Sequence, residues 1–149
     1  RRYAWGDELT PDDRWMTNTW QGRFPVVDEG LDGHRGTAPV GSYPPDARGL
    51  VDMTGNVWEW CSDWYSDDWY ERSNEPNPKG PASDTIVDRS SPAGHRRVTR
   101  GGSHLCSEDF CIRYRPAARM PVTPDSSLSH TGFRCVRSAP SDQEPSGTP

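Results

Sequence analysis

Two of the four cysteines, Cys106 and Cys111, bracket the run Cys106-Ser-Glu-Asp-Phe-Cys111. No Cys-x-x-Cys pair occurs, whereas structural zinc sites ordinarily use two to four intervening residues and a second arm of the same kind. The spacing leaves three readings open: a buried or disulfide-bonded pair, a soft-metal or redox pair, or coincidence. The surroundings strengthen the second. Gly101-Gly102-Ser103 lies just upstream, and glycines that accept positive φ let backbone approach closely. Arg113, Arg115 and Arg119 follow, and cationic neighbours lower a thiol's pKa toward the reactive thiolate. Two facing thiolates suit Cu(I), because soft sulfur ligands select soft metals. The four histidines, His34, His95, His104 and His130, show no metal-ligand spacing. His130, placed before a short apolar run, serves either to line a substrate groove or to stabilise a turn.

The elements that must hold these side chains are short. Of 149 residues, 15 are Pro and 14 are Gly, so about one in five interrupts regular structure. Mean hydropathy is -0.97 and only 31% of residues are hydrophobic, which excludes a long-helix bundle, a coiled coil and any span of about 20 apolar residues. Seven Trp, five Tyr and three Phe argue against disorder, because unfolded chains are poor in large rings. One loop-rich α+β domain is expected, with rings replacing aliphatics in the core. Net charge is -5, with 17 acids against 9 bases in residues 1–90 and 5 against 8 beyond. The split is read as a solvated surface, or as an acidic half for hard cations and a basic half for a partner. No basic helix or finger spacing supports nucleic-acid binding. No Asn-x-Ser/Thr sequon occurs.

Along the chain, residues 1–50 read as turns and short extended pieces. A short helix is expected over Asp46–Met53, with Asp46 as N-cap and Gly55 just past its end. Val57–Trp64 alternates with period two and places Trp58, Trp60 and Trp64 on one face of a strand. That cluster is read mostly as core, with Trp58 the ring expected to face the site. Residues 66–95, broken by four prolines, read as an exposed connection. Arg97–Arg100 is a short strand, Phe110–Tyr114 a further extended piece, and Thr131–Val136 the last strand. Residues 138–149 are Ser/Pro/Gly-rich and read as a disordered tail.

The stretches Gly49-Leu-Val-Asp-Met-Thr-Gly-Asn-Val-Trp-Glu-Trp60, Asn77-Pro-Lys-Gly80, Arg100-Gly-Gly-Ser103 and Thr131-Gly-Phe-Arg134 resemble the sulfatase-modifying factor family. Cys106, Cys111 and Thr123-Pro-Asp-Ser-Ser127 resemble the formylglycine-generating enzymes within it. The resemblance covers residues 1–137, corresponding to the C-terminal half or so of the family's catalytic domain. The absence of an initiator Met at Arg1 reads as a fragment or processed piece. The implied fold is a mixed α+β architecture with little regular secondary structure, related to C-type lectin-like folds.

The resemblance implies oxidation of a cysteine in a Cys-x-Pro-x-Arg segment of a sulfatase to Cα-formylglycine, using O2 and Cu(I). It makes Cys106 and Cys111 the copper ligands and redox pair, and puts Ser103 beside the reacting centre, where the alternative role is capping a turn. It also implies calcium at Asn18, Thr19, Asp32 and His34, and at Asp52, Gly55, Val57 and Glu59. Main-chain and side-chain oxygens there match calcium's preference, although ordinary turn residues would look the same. Pro116 replaces a cysteine that some secreted members use in a disulfide, and Cys135 lacks the partner those members supply. Cys61 and Cys135 are accordingly expected as free thiols or, alternatively, as a pair. The pattern points to a bacterial-type intracellular enzyme, acting as a monomer on a sulfatase polypeptide, with no nucleic-acid or membrane partner. Two other readings stay open: a non-catalytic binding module with a Cys106–Cys111 disulfide, and the domain of an iron-dependent sulfoxide synthase.

Overall fold

The computed structural model describes residues 1–91 and 94–137, so the expected tail over residues 138–149 lies outside the described residues. Four strands form one mixed sheet: β1 (Trp58–Trp64), β2 (Arg97–Arg100), β3 (Met120–Val122) and β4 (Thr131–Gly132), in the order β3-β2-β1-β4. β1 runs antiparallel to β2, with Glu59 opposite Arg100 and Trp60 opposite Thr99, and parallel to β4, with Trp58 opposite Thr131. β3 pairs antiparallel with β2 and places Pro121 opposite Val98. A proline donates no ladder bond and is tolerated there because β3 is an edge strand.

The strand expected at Val57–Trp64 begins one residue later, at Trp58, and does not carry a continuous aromatic core face. Pairing shifts between Trp60 and Trp64, and this irregularity breaks the period of two. Only Trp58 joins the core; Trp64 lies under the Arg97 guanidinium, 3.7 Å from its ring centre, and edge-on to His95. The expected last strand is cut to Thr131–Gly132, because Arg134 turns its side chain back to Glu59 and to the carbonyls of Val51 and Asp52.

Asp46–Met53 is a turn rather than a helix. The Asp46 carboxylate accepts from the Arg48 and Leu50 amides, as a cap would, but the Asp46 amide donates to the Leu50 carbonyl and reverses the chain. Phe110–Tyr114 is likewise not extended, since Ile112–Tyr114 forms a single 3₁₀ turn. The 66–95 connection is mostly exposed, yet it contains the one-turn helix α1 (Trp69–Arg72) and a 3₁₀ turn at Ser83–Thr85. It is pinned by buried Ser66, whose hydroxyl accepts from the Val87 amide at 3.0 Å.

The described interior holds more buried polar side chains than apolar ones. Gly55 and Asn56 staple three loops together. The Asn56 amide donates to Asn18 O at 2.9 Å, its carboxamide bonds both ways with Ala38, and its carbonyl accepts from the His104 amide at 2.9 Å. The Gly55 amide donates to Gly101 O at 2.7 Å. A Cβ on Gly55 would stand 2.2 Å from both Asn18 O and Thr17 Oγ1, and φ there is +70°, so only glycine fits. A small aromatic core sits against this staple: Tyr3, Trp58 and Tyr114 pack with Cys106, and Trp5, Leu9, Cys111, Ile112 and Met120 close around them.

Candidate active site

The loop that follows β2 turns at Gly101-Gly102 and delivers Ser103 and Cys106 into the core. Gly102 is required at this turn: φ is +73°, and a Cβ would lie 2.8 Å from the Tyr114 side chain. Tyr114 thereby closes over the loop's base, and its ring stacks on Tyr3 at 6.0 Å, with Trp5 stacked on the far side of Tyr3 at 5.3 Å. The loop is fixed at both ends, because the Cys106 amide donates to Ser103 O and the Cys106 carbonyl accepts from the Trp20 amide, each at 2.9 Å.

Residues 107–111 then return the chain so that Cys111 faces Cys106. The Cys111 amide donates to Ser107 O at 3.0 Å and the Phe110 amide to Ser107 Oγ at 3.1 Å. The two sulfurs stand 2.7 Å apart, both as free thiols, with Cys106 only 2% exposed and Cys111 half-buried. Their environments drive them apart electrically. Cys111 is pulled down to about 6, first by the hydrogen bond from Cys106 and then by the Arg113 amide and guanidinium. Cys106 is pushed up, because it donates to Cys111 and because burial penalises its anion; hydrogen bonds from Ser103 oppose the rise. The two shifts run in opposite directions, favouring the thiolate at the outward Cys111 and the thiol at the buried Cys106.

Of the other residues expected at the site, Ser103 and Trp58 adjoin this pair, and His130 is linked to it through Trp58 and His104. Ser103 is buried, with its hydroxyl accepting from the Leu105 amide at 3.3 Å, so its turn-capping role and its place beside Cys106 coexist. Trp58 packs in the same cluster as Cys106. The His130 carbonyl accepts from the Trp58 amide at 2.8 Å, and the His130 ring stands edge-on to His104 with centroids 6.3 Å apart. Burial, then the neighbouring His130, lowers the His104 pKa. Cys61 lies on β1, half-buried, with its thiol pushed up chiefly by burial; Cys135 is exposed, and both are free.

Of the first oxygen set, the Asp32 carboxylate gathers the amides of Thr19 and His34, each at 3.0 Å, while the Asn18 amide nitrogen donates to Gly36 O at 2.8 Å. These four residues are brought together. The second set converges less: the Asp52 carboxylate accepts from the Gly41 amide at 2.7 Å, and both Glu59 oxygens are taken by Arg134. Among the described residues, no group of three or more His, Cys, Asp or Glu side chains clusters as a metal site.

The sequence matches the family described as "Sulfatase-modifying factor enzyme 1-like domain" over residues 1–139. The chain belongs to that family. It is 54% identical over 139 residues to the formylglycine-generating enzyme of Streptomyces coelicolor, covering 93% of this chain and 41% of that protein. It is 36% identical over 141 residues to mouse inactive C-alpha-formylglycine-generating enzyme 2, covering 92% of this chain and 37% of that protein. The solved structure of PvdO from Pseudomonas aeruginosa superposes with a TM-score of 0.55 at 26% identity, over 78% of this chain and 37% of that one. The chain thus spans less than half the length of these relatives. The fold is that of the sulfatase-modifying factor family, with little regular secondary structure. Three of the four family stretches also meet in space, since Glu59 of the Trp-Glu-Trp stretch lies opposite Arg100 and pairs with Arg134 of Thr-Gly-Phe-Arg.

Of the residues the sequence put at the site, the cysteines and Trp58 pack in one cluster with Ser103 bonded to Cys106, and Tyr3 and Tyr114 join that cluster without a signal in the sequence. Tyr3 and Tyr114 lie in non-periodic segments far apart in sequence, so no local pattern signals their stacking. The positive φ of Gly102 is the nearest signal, since it marks a close approach without naming the partner.

Proposed function

We propose that this chain carries the cysteine-bearing part of a formylglycine-generating oxidase, which converts the cysteine of a Cys-x-Pro-x-Arg segment in a sulfatase to Cα-formylglycine. The observation that carries this reading is the facing pair of Cys106, buried, and Cys111, half-buried, with sulfurs 2.7 Å apart. Two facing soft donors fit Cu(I) better than calcium, and two ligands are too few for a tetrahedral zinc site, so these two side chains would hold Cu(I). When bound, Cu(I) supplies a soft centre that can bring a third thiolate and O2 together. The chain's own contribution is positional. Ser103 and the Gly102 turn fix Cys106, Tyr114 and Trp58 exclude water from its inner side, and the half-exposed Cys111 leaves the outer side open to a peptide.

The same reading gives calcium to Asn18, Thr19, Asp32 and His34, and extends it to Asp52, Gly55, Val57 and Glu59. In either set calcium would displace donors already in place, the Thr19, Gln21 and His34 nitrogens on Asp32 and the Arg134 guanidinium on Glu59; the neutral donors of the first set are the easier to displace. A sulfatase polypeptide and O2 are the partners this function requires, with the enzyme acting as a monomer.

The test is aldehyde formation on a Cys-x-Pro-x-Arg peptide with Cu(I) and O2. Cys106→Ser and Cys111→Ser should each reduce it by at least about tenfold, and a smaller loss removes the pair from the mechanism. The similarity to a relative named inactive favours one competing reading, a non-catalytic module. Titrating the native protein without added thiol reductant separates the two: a catalytic pair, present as thiols, binds one Cu(I) tightly, and a structural disulfide binds none.

A further inference from the structure

The rings that close over the cysteine loop form a continuous stack running from the surface to Cys106. Trp5 is partly exposed, and its indole lies parallel to the Tyr3 ring at 5.3 Å with planes 7° apart. Tyr3 in turn lies parallel to Tyr114 at 6.0 Å with planes 10° apart. Tyr3 and Tyr114 are each 1% exposed and share one buried cluster with Cys106. Stacked rings are ordinary core packing. Two features set this stack apart. It contains only indole and phenol rings, which give up single electrons far more readily than phenylalanine. The middle phenol also has a base: the Tyr3 hydroxyl donates to Glu108 Oε1 at 3.0 Å, although the Tyr3 ring is buried. Removing an electron from a phenol makes its proton strongly acidic, so a positioned acceptor eases the step. Glu108 lies in the Cys106–Cys111 loop itself, half-exposed and 3.8 Å from the Arg2 guanidinium.

The inference rests on the oxidase reading above, whose electron count requires a donor. Turning a cysteine side chain into an aldehyde removes two electrons, whereas O2 accepts four. One substrate thiol, one O2, two electrons and two protons give the aldehyde, hydrogen sulfide and water. From the Trp5–Tyr3–Tyr114 stack against Cys106 we infer that these rings are the electron-entry path, taking electrons singly from small thiols at the Trp5 edge. An electron passes inward from Tyr114, and Tyr3 refills the vacancy while its proton moves to Glu108. Trp5 then reduces Tyr3, and the proton returns. A thiolate reduces Trp5 and becomes a thiyl radical, which joins a second thiolate. The resulting disulfide radical anion gives the second electron and leaves as a disulfide, so two thiols supply the two electrons and two protons. Entry through the rings also keeps small thiols off the sulfur pair, where they would compete for the same soft metal.

The experiment follows radicals in the full chain. Azide radicals made by pulse radiolysis oxidise indoles, and onward transfer is read as growth of tyrosyl absorption at a rate independent of protein concentration. Tyr3→Phe keeps the ring but removes the oxidisable hydroxyl, and should abolish the fastest phase of that growth, as should Trp5→Phe. Glu108→Gln should slow it at least about tenfold, because the positioned proton acceptor is lost. This half-exposed position keeps the test decisive if a ring variant fails to fold. A fast phase that survives Tyr3→Phe, or that ignores Glu108→Gln, overturns the path. With thiol as reductant, Tyr3→Phe should lower kcat for aldehyde formation about tenfold and leave the peptide KM within twofold. An unchanged kcat also overturns it. If the native protein forms no aldehyde but radical transfer depends on Tyr3 and Glu108, the oxidase reading falls and the stack stands as a redox path. If aldehyde forms and the fast phase ignores all three variants, the path falls and the oxidase reading stands.

Discussion

At the scale of single residues, the cysteine pair shows how position sets chemistry. Both are thiols of the same intrinsic acidity, yet the outward one sits against an arginine and a backbone amide while the inward one sits among rings. The difference is readable by alkylation. Because the Cys111 pKa is lowered to about 6, its thiolate is present above that pH and is lost as pH falls through it. Iodoacetamide labelling of Cys111 in reduced native protein should therefore rise with a midpoint near pH 6. In Cys106→Ala the donor to Cys111 is removed and the midpoint should move toward the ordinary thiol value of about 8.5. A native midpoint above 8, followed by peptide mass spectrometry, would show that the Cys106 hydrogen bond does not control the pair. The residue types here were legible in the sequence: two cysteines, adjacent glycines and downstream arginines. What was not legible is which sulfur carries the charge, because that depends on burial against Tyr3, Tyr114 and Trp58.

At the scale of elements, short pieces replace long ones, and each depends on a polar clamp. β1 and β2 were readable from β-branched and aromatic runs, but β3 was not, since Met120-Pro-Val122 carries a proline that argues against a strand until its edge position is known. The expected Asp46–Met53 helix illustrates the opposite error. An aspartate that caps a helix and one that closes a turn make the same first bonds, and only the next residues decide which forms. The clamp most open to measurement joins β2 to the 66–95 connection. Asp88 is 3% exposed and pairs with Arg96, which also lies over the Tyr65 ring. The Arg96 hydrogen bonds hold the Asp88 carboxyl below its usual range, against a smaller opposing effect of burial. A depressed carboxylate contributes stability above its unfolded pKa, about 3.9, and loses that contribution as pH falls further. Asp88→Asn should cost about 3 kcal/mol by urea denaturation at pH 7, in line with breaking a buried pair, and much less at pH 3. An equal cost at both pH values would assign the loss to packing instead.

At the scale of the whole molecule, hydrophobic burial alone is a thin account of why the chain holds together. Described buried side chains are more often Thr, Asn, Ser or Gln than aliphatic, and the loops meet through amides and carboxamides that leave little room for error. Such a structure gains most from crosslinks that cost no apolar area. The best placed is the 18–36 loop, where Asp32 spans the Thr19 and His34 amides and receives the Gln21 side chain at 2.7 Å. A calcium ion there would bind the folded chain and not the unfolded one, and would stabilise it by mass action, about 2.7 kcal/mol at a hundredfold excess over Kd. For a chain of this size that corresponds to a Tm increase of roughly 5–10 °C. Chelation with EGTA should lower Tm by that amount and added calcium should restore it, whereas Asp32→Asn should show a low Tm that neither treatment changes. Magnesium should rescue poorly, since it demands a tighter octahedral shell than main-chain oxygens on a loop supply. If EGTA leaves Tm unchanged, the hydrogen bonds around Asp32 and Asn56 suffice to join these loops, and the acidic character of residues 1–90 is a property of the solvated surface.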